Sequence, residues 1–259
     1  MSGNLILPAR VTPLSSAMVV EVFSSIQGEG LHLGRRQIFI RLADCNLSCA
    51  YCDTEFFRAS LFPSEIRPGC GFSTDRENPV PVYEIAELVA GWNRDLPGAH
   101  HSISITGGEP LCQADALAVW LPELRKILPI HLETNGTLPE DLVPLLGEID
   151  FISMDFKLAS VTGVPTPWEE HKRFLALAAQ SPCQVKLVVG PQTSFDELLA
   201  AVRFIHEIAP DVPMILQPQT IERRVSLAAH QLLEMQALAA AIHHDIRVIP
   251  QVHHFLNAP

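Results

Sequence analysis

The sequence predicts an α/β fold in which parallel strands are joined by helical crossovers. Three observations predict it. Short β-rich runs alternate with segments of helical spacing. Hydrophobic residues make up 47% of the 259 positions and charged residues 18%, enough for one substantial core. No internal repeat or low-complexity tract breaks the alternation, which is the pattern of a parallel sheet covered by helices.

In chain order, residues 18–23 and 37–42 read as the first strands, with 24–36 as a glycine-containing loop between them. Residues 83–92 have helical spacing at Ile85, Leu88 and Val89. Strand 102–105, helix 114–128, strand 130–133, a short helix near 140–146 and strand 151–154 follow. The rest reads as helix 168–179, strand 184–189, helix 195–208, strand 214–217, helix 227–243 and a last short strand, 246–249. Residues 56–81 carry Pro63, Pro68, Pro79 and Pro81 and no periodicity. They predict a surface loop inserted into a single domain spanning 1–259. Residues 1–14 read as an arm without a signal-peptide pattern.

Composition excludes some functions. The formal net charge is -11, and an acidic surface repels phosphate backbones, so nucleic acid is not an expected partner. No apolar run reaches the roughly 18–20 residues of a membrane span. Three of the six cysteines fall within eight residues. In a chain of this size without a secretory signal, that clustering predicts a reducing, cytoplasmic setting and a metal or catalytic role for the thiols.

Cys45-Asn-Leu-Ser-Cys49-Ala-Tyr-Cys52 directly follows the strand 37–42. Three thiolates this close can each ligate one iron of a single cubane, leaving a fourth iron open to a ligand. A structural zinc site is the first alternative, but it needs a fourth ligand at paired spacing. A ferredoxin-type electron carrier is the second, with Cys70 as its fourth thiolate. Cys112 and Cys183 read as buried, inert thiols. Thr106-Gly107-Gly108-Glu109-Pro110 ends the strand 102–105. Its glycines admit a close backbone approach, such as that of a ligand.

The C-x3-C-x2-C spacing with an aromatic at Tyr51, followed by the Gly-Gly turn, resembles the radical S-adenosylmethionine (SAM) superfamily. That resemblance implies a [4Fe–4S] cluster on Cys45, Cys49 and Cys52. It also implies SAM bound at the open iron and cleaved to a deoxyadenosyl radical. Four further motifs narrow it: Phe23-Ser-Ser-Ile26-Gln27-Gly28-Glu29-Gly30, Arg41 before the cysteines, Asp53-Thr54 after them, and the ending His253-His254-Phe255-Leu256-Asn257-Ala258-Pro259. This set resembles the 7-carboxy-7-deazaguanine synthase family over about residues 18–259.

The family resemblance implies an incomplete (β/α)6 barrel and conversion of 6-carboxy-5,6,7,8-tetrahydropterin to 7-carboxy-7-deazaguanine and ammonia, with Mg2+ assisting and SAM regenerated. It implies a homodimer served by a flavodoxin or ferredoxin. Arg41, whose planar fork suits a carboxylate, is the expected partner of the substrate's acid group; its structural alternative is a pairing with Asp44 or Glu109. Ile26, Gln27 and Gly28 are expected at the pterin's amide-like edge, and Thr106 at the substrate. Thr54 is expected to ligate Mg2+. Gly108, Asp155, Phe156, Lys157, Gln217, Pro218, Gln219 and Thr220 are expected at SAM. The α-carboxylate of Pro259 is expected to meet the pterin, with Phe255 and Leu256 anchoring the tail. A glycyl-radical-enzyme activase is the rival within the superfamily, and an iron–sulfur electron carrier the rival outside it.

Overall fold

The structure is a computed structural model and describes residues 16–52 and 56–258. Its centre is a ten-stranded sheet. The strands are β1 (Val19–Ile26), β2 (Arg36–Leu42), β3 (Leu61–Glu65), β4 (Ser73–Glu77), β5 (Ser102–Gly107), β6 (Ile130–Thr134), β7 (Phe151–Phe156), β8 (Cys183–Val189), β9 (Met214–Pro218) and β10 (Ile246–Val248). Their order is β10-β9-β8-β7-β6-β5-β2-β1-β3-β4. From β2 to β10 every neighbouring pair is parallel. The two ends of the sheet do not pair with each other, so the barrel is incomplete, as expected. Five longer helices cover it: α1 (Val82–Asp95), α2 (Ala114–Arg125), α3 (Trp168–Ala178), α4 (Phe195–Ile208) and α5 (Ala229–Ala240).

The two faces of the parallel strands differ, because side chains alternate along a strand. One set is apolar and fully buried: Ile38, Ile40, Ile103, Ile105, Ile152, Met154, Val185, Leu187, Met214 and Leu216. These share one core with Val89, Trp120, Leu124, Phe174 and Val202 of the helices. The other set is mixed: beside Phe39, Val188 and Ile215 it carries the polar Gln37, Ser102, Ser104, His131, Glu133, Ser153, Asp155, Gln184, Lys186 and Gln217. Near the strand starts these residues form a hydrogen-bonded belt. Gln37 donates to Ser102 at 2.7 Å, and its amide lies 3.1 Å from His131 Nδ1. The Ser153 hydroxyl lies 2.7 Å from His131 Nε2 and accepts from Gln184 at 2.7 Å. The belt closes the inner side at one end and leaves the strands' C-terminal ends to the site.

Several boundaries differ from expectation. β1 runs to Ile26, so the following loop is shorter and contains a helical turn at Gly30–His32. Helices α2 and α5 stop short of residues 128 and 243. The largest difference lies in residues 56–81, expected to be a surface loop. There β3 and β4 form an antiparallel hairpin that joins the sheet beside β1. Phe62 and Ser64 bury one face of β3, while Pro63 between them faces outward, where a missing N–H does not matter. Glu65 organises the hairpin loop: its carboxylate accepts from Ser24 N at 2.9 Å, Gly69 N at 2.7 Å and Gly71 N at 3.0 Å.

Candidate active site

A cavity of about 400 Å³ opens at the C-terminal ends of the parallel strands, the place where this architecture puts chemistry. Its wall unites Ile26, Gln27, Gly28, Arg41, Cys45, Cys49, Cys52, Thr106, Gly108, Asp155, Lys157, Gln217, Gln219 and Thr220. Two expected residues are absent from it. Phe156 follows inward-facing Asp155 and therefore points to the helices, packing against Trp168, His171 and Phe204. Pro218 is buried beside Val189, one position past Gln217. Thr54 and Pro259 lie outside the described residues.

The cysteine loop is held from three sides. Asn46 donates to Thr137 at 2.8 Å and accepts from Asn135 at 2.9 Å. Ala50 N donates to Thr162 O at 2.8 Å. Asp44, at φ 72°, receives Glu109 N on its carbonyl at 2.8 Å. The two glycines of the Gly-Gly turn make this fit. A Cβ on Gly107 would lie 2.2 Å from Leu42 O, and one on Gly108 would lie 2.1 Å from Asp44 O. The approach that they admit is that of the cysteine loop itself, rather than only the ligand approach expected from sequence. Glu109 fastens the same region from beneath. Fully buried, its carboxylate accepts from Leu111 N, Asn135 N and Thr134 Oγ1 at 3.0, 2.7 and 2.9 Å.

Burial pushes up the thiols of Cys45 and Cys49, whereas Lys157 pulls them down and the neighbouring thiols raise them further. Three side chains that hold one ion converge on a point. No group of three His, Cys, Asp or Glu side chains does so among the described residues. Cys45, Cys49 and Cys52 all line the cavity and fit a cluster that each would ligate at a different iron. Cys70 lies in the hairpin loop and Cys183 is buried at the start of β8. Cys112 is exposed, against the expectation of a buried thiol.

Buried charges line the same cavity. Lys157 reaches Asp155 at 2.9 Å and Tyr51 OH at 3.0 Å. Lys186 reaches Asp155 at 3.0 Å and contacts Glu29. Burial opposes the charge of Asp155, but Lys157 and Lys186 overcome it and hold the carboxyl below its usual range. Lys186 likewise holds Glu29 down against burial. In Glu133 burial wins and raises the carboxyl, although Gln27 and Ser104 donate to it. Glu133 and Lys186 were not anticipated from sequence; the signal was a charged residue at an inward position of otherwise apolar strands. Gln27 is buried, donating to Gln37 at 3.1 Å and Glu133 at 2.9 Å.

Arg41 lines the cavity, and its ion pair is with neither Asp44 nor Glu109, its structural alternatives. Its Nε lies 3.0 Å from Glu21 Oε1, and its guanidinium sits 5.4 Å over the Phe23 ring. Asp44 is occupied by Arg58 in a two-pronged contact. The chain's end also differs from expectation. Val252 N donates to Gly28 O at 2.9 Å, Gln251 donates to Glu29 at 2.9 Å, and Arg223 donates to His254 O at 2.8 Å. His253 and His254 line the cavity, whereas Phe255 and Leu256, expected as anchors, are 60% and 53% exposed.

The Radical SAM superfamily model matches residues 40–228. The 7-carboxy-7-deazaguanine synthase of Geobacter sulfurreducens is 43% identical over 243 residues, covering 93% of this chain and 97% of its own. That of Methanopyrus kandleri is 34% identical over 255 residues, with 96% of each chain covered. The crystal structure of QueE from Escherichia coli aligns with a TM-score of 0.57 at 22% identity, over 92% of this chain and 95% of that one, a likeness of fold. The chain belongs to the radical SAM superfamily and, within it, to the 7-carboxy-7-deazaguanine synthase family.

Proposed function

We propose that the protein converts 6-carboxy-5,6,7,8-tetrahydropterin to 7-carboxy-7-deazaguanine with release of ammonia. One nitrogen leaves as ammonia and all carbon is retained, so no net oxidant is needed. The observation that carries this reading is that one cavity brings the three clustered cysteines together with Arg41, buried lysines and buried carboxyls that a small polar molecule can contact. Cysteines 45, 49 and 52 would hold a [4Fe–4S] cluster, which with SAM supplies hydrogen-atom abstraction from the substrate.

The chain's own residues then bind and orient. Arg41 offers its fork to the substrate carboxylate. Glu133, held by Gln27 and Ser104, faces N–H groups of the ring, as a carboxyl raised by burial can accept or donate there. Gly28, Ile26 and Thr106 border the substrate, and Gln217, whose carboxamide oxygen is buried without a hydrogen-bond partner, lines the cavity beside SAM. We assign Gly108, Asp155, Lys157, Gln219 and Thr220 to SAM, Thr54 to Mg2+, and Pro259 to the pterin. The protein acts in the cytoplasm as a homodimer and takes its electron from a flavodoxin or ferredoxin. No helix among the described residues is long and apolar enough to cross a membrane.

The test is anaerobic incubation of reduced, cluster-loaded protein with SAM, with and without the carboxypterin. The expected result is deazapurine acid and ammonia in equal amounts, with SAM not consumed. Deoxyadenosine formed independently of the pterin, with no deazapurine, would favour an activase; none under any condition would favour an electron carrier.

A further inference from the structure

Six side chains make an unbroken series of polar contacts from the cysteine loop to the chain's end. Tyr51 OH accepts from Lys157 at 3.0 Å, and Lys157 donates to one oxygen of Asp155 at 2.9 Å. The other oxygen of Asp155 lies 3.0 Å from Lys186. Lys186 also contacts one oxygen of Glu29, whose second oxygen accepts from Gln251 at 2.9 Å. Charges alternate along the series, and both lysines are buried, 9% and 8% exposed. Each carboxylate uses both oxygens, so neither can leave one neighbour without disturbing the other. Loss of one ion from such a buried row leaves its partners uncompensated.

The ends of the row are the two parts of the site that border different ligands. Tyr51 belongs to the cysteine loop. Gln251 precedes the segment 252–257, which rests on Gly28 and Arg223 and borders the cavity through His253. We propose that Lys186 is a positioning residue that couples the two, so that SAM seated beside the cysteines tightens the C-terminal segment over the substrate side. This rests on the cavity being the SAM and pterin site. Coupling of this kind requires a continuous set of groups biased from both ends, and the lysine at its middle joins β7 to the loop after β1. SAM bound first then prepares the place of its co-substrate.

The experiment is amide hydrogen exchange on the full-length, cluster-loaded protein, with and without SAM and with no pterin present. In the native protein SAM should slow exchange at 252–258 about fivefold or more. In Lys186→Met that response should vanish and the segment should exchange faster without SAM. Lys186→Arg should restore the response, because a guanidinium can span two carboxylates. Glu29→Gln interrupts the row at nearly constant volume and should abolish the response as well. An undiminished SAM response in both Lys186→Met and Glu29→Gln would overturn the proposal. So would faster exchange spread evenly through β7, β8 and the segment, the mark of a general stabiliser. Coupling observed in a protein that makes no deazapurine would support this proposal and sink the substrate reading alone.

Discussion

Gly28 faces the imidazole of His253 so closely that a Cβ built on the glycine would lie 2.2 Å from Nδ1 and 2.7 Å from the histidine's own Cβ. A rotamer change alone cannot clear the second contact, so the chain's end must move. Gly28→Ala should therefore displace the segment 251–257 at a cost of about 1–3 kcal/mol. The KM for carboxypterin should rise while cluster content stays native. His253→Ala in the same chain should recover part of the stability. An unchanged KM in the single variant would dissociate this contact from substrate binding.

Gly108→Ala meets backbone, since its Cβ would lie 2.1 Å from Asp44 O. Nothing there can rotate away, and the cysteine loop should lose its seat. Iron retained after reconstitution should fall severely. Gly147→Ala, with nothing within 4 Å of its Cβ, is the control and should retain iron like the native protein. Equal iron content in the two variants would contradict the assigned role.

Cys45→Ala, Cys49→Ala and Cys52→Ala should each abolish the cluster's visible absorption and deoxyadenosine formation. Cys70→Ala, Cys112→Ala and Cys183→Ala should preserve both. Cys112 is the informative control, because burial, then Glu109 and Cys45 nearby, push its thiol up to about 12. Loss of the absorption band in Cys112→Ala would make it a ligand.

Arg41→Lys should weaken carboxypterin binding about tenfold or more, since a point charge cannot replace a two-pronged contact. SAM affinity, read by calorimetry, should barely change. Glu21→Gln, which removes the carboxylate now 3.0 Å from Arg41 Nε, should leave pterin binding intact or tighten it. Equal losses for both ligands would mark Arg41 as structural.

Three histidine rings meet near the strand starts: His32 lies 4.7 Å from His101 and 5.0 Å from His131, centre to centre. Burial, helped by the neighbouring rings, lowers His32 to about 4, and burial with Lys186 lowers His131 to about 3, against an ordinary 6.5. The unfolded chain thus takes up these protons first. Stability contributed above pH 6.5 should be lost as pH falls through 4 and toward 3. His32→Phe should unfold less steeply with acid over that window in denaturant titrations. Parallel pH profiles for variant and native protein would exclude the ring cluster as the source.

Much of this was legible in the sequence. The parallel strands stand out because their helix-facing residues, such as Ile103 and Ile105 or Val185 and Leu187, leave a clear apolar signal, and the cysteine spacing identifies the cluster loop. The hairpin of β3 and β4 escaped because four prolines and the lack of periodicity read as a loop; Pro63 in fact faces outward from β3, and the Glu65 carboxylate organises the loop. Lys186 and Glu133 escaped because short apolar strands suggest burial on both faces, whereas here one face lines a polar site. The tail's anchorage was misassigned on hydrophobicity. Contact with Gly28, a position without a side chain, brings His253 rather than Phe255 to the cavity, and no local pattern encodes a partner 225 positions away.

The hairpin's outer strand bears on how copies of this protein can meet. β4 is the last strand of the sheet and carries Asp75, Arg76 and Glu77. A second copy pairing antiparallel about a two-fold axis must set one residue opposite its own twin. Centred on Asp75, the ribbon confronts aspartate with aspartate. Centred on Arg76, it confronts arginine with arginine and Asp75 with Glu77. Like charges directly opposed across strands are destabilising. The sheet's other margin, β10, is only three residues long and carries Arg247. Of the registers open to β4, those centred on its charged residues are thus opposed, and one centred on Thr74, which sets Ser73 against Asp75, meets no like-charge pair.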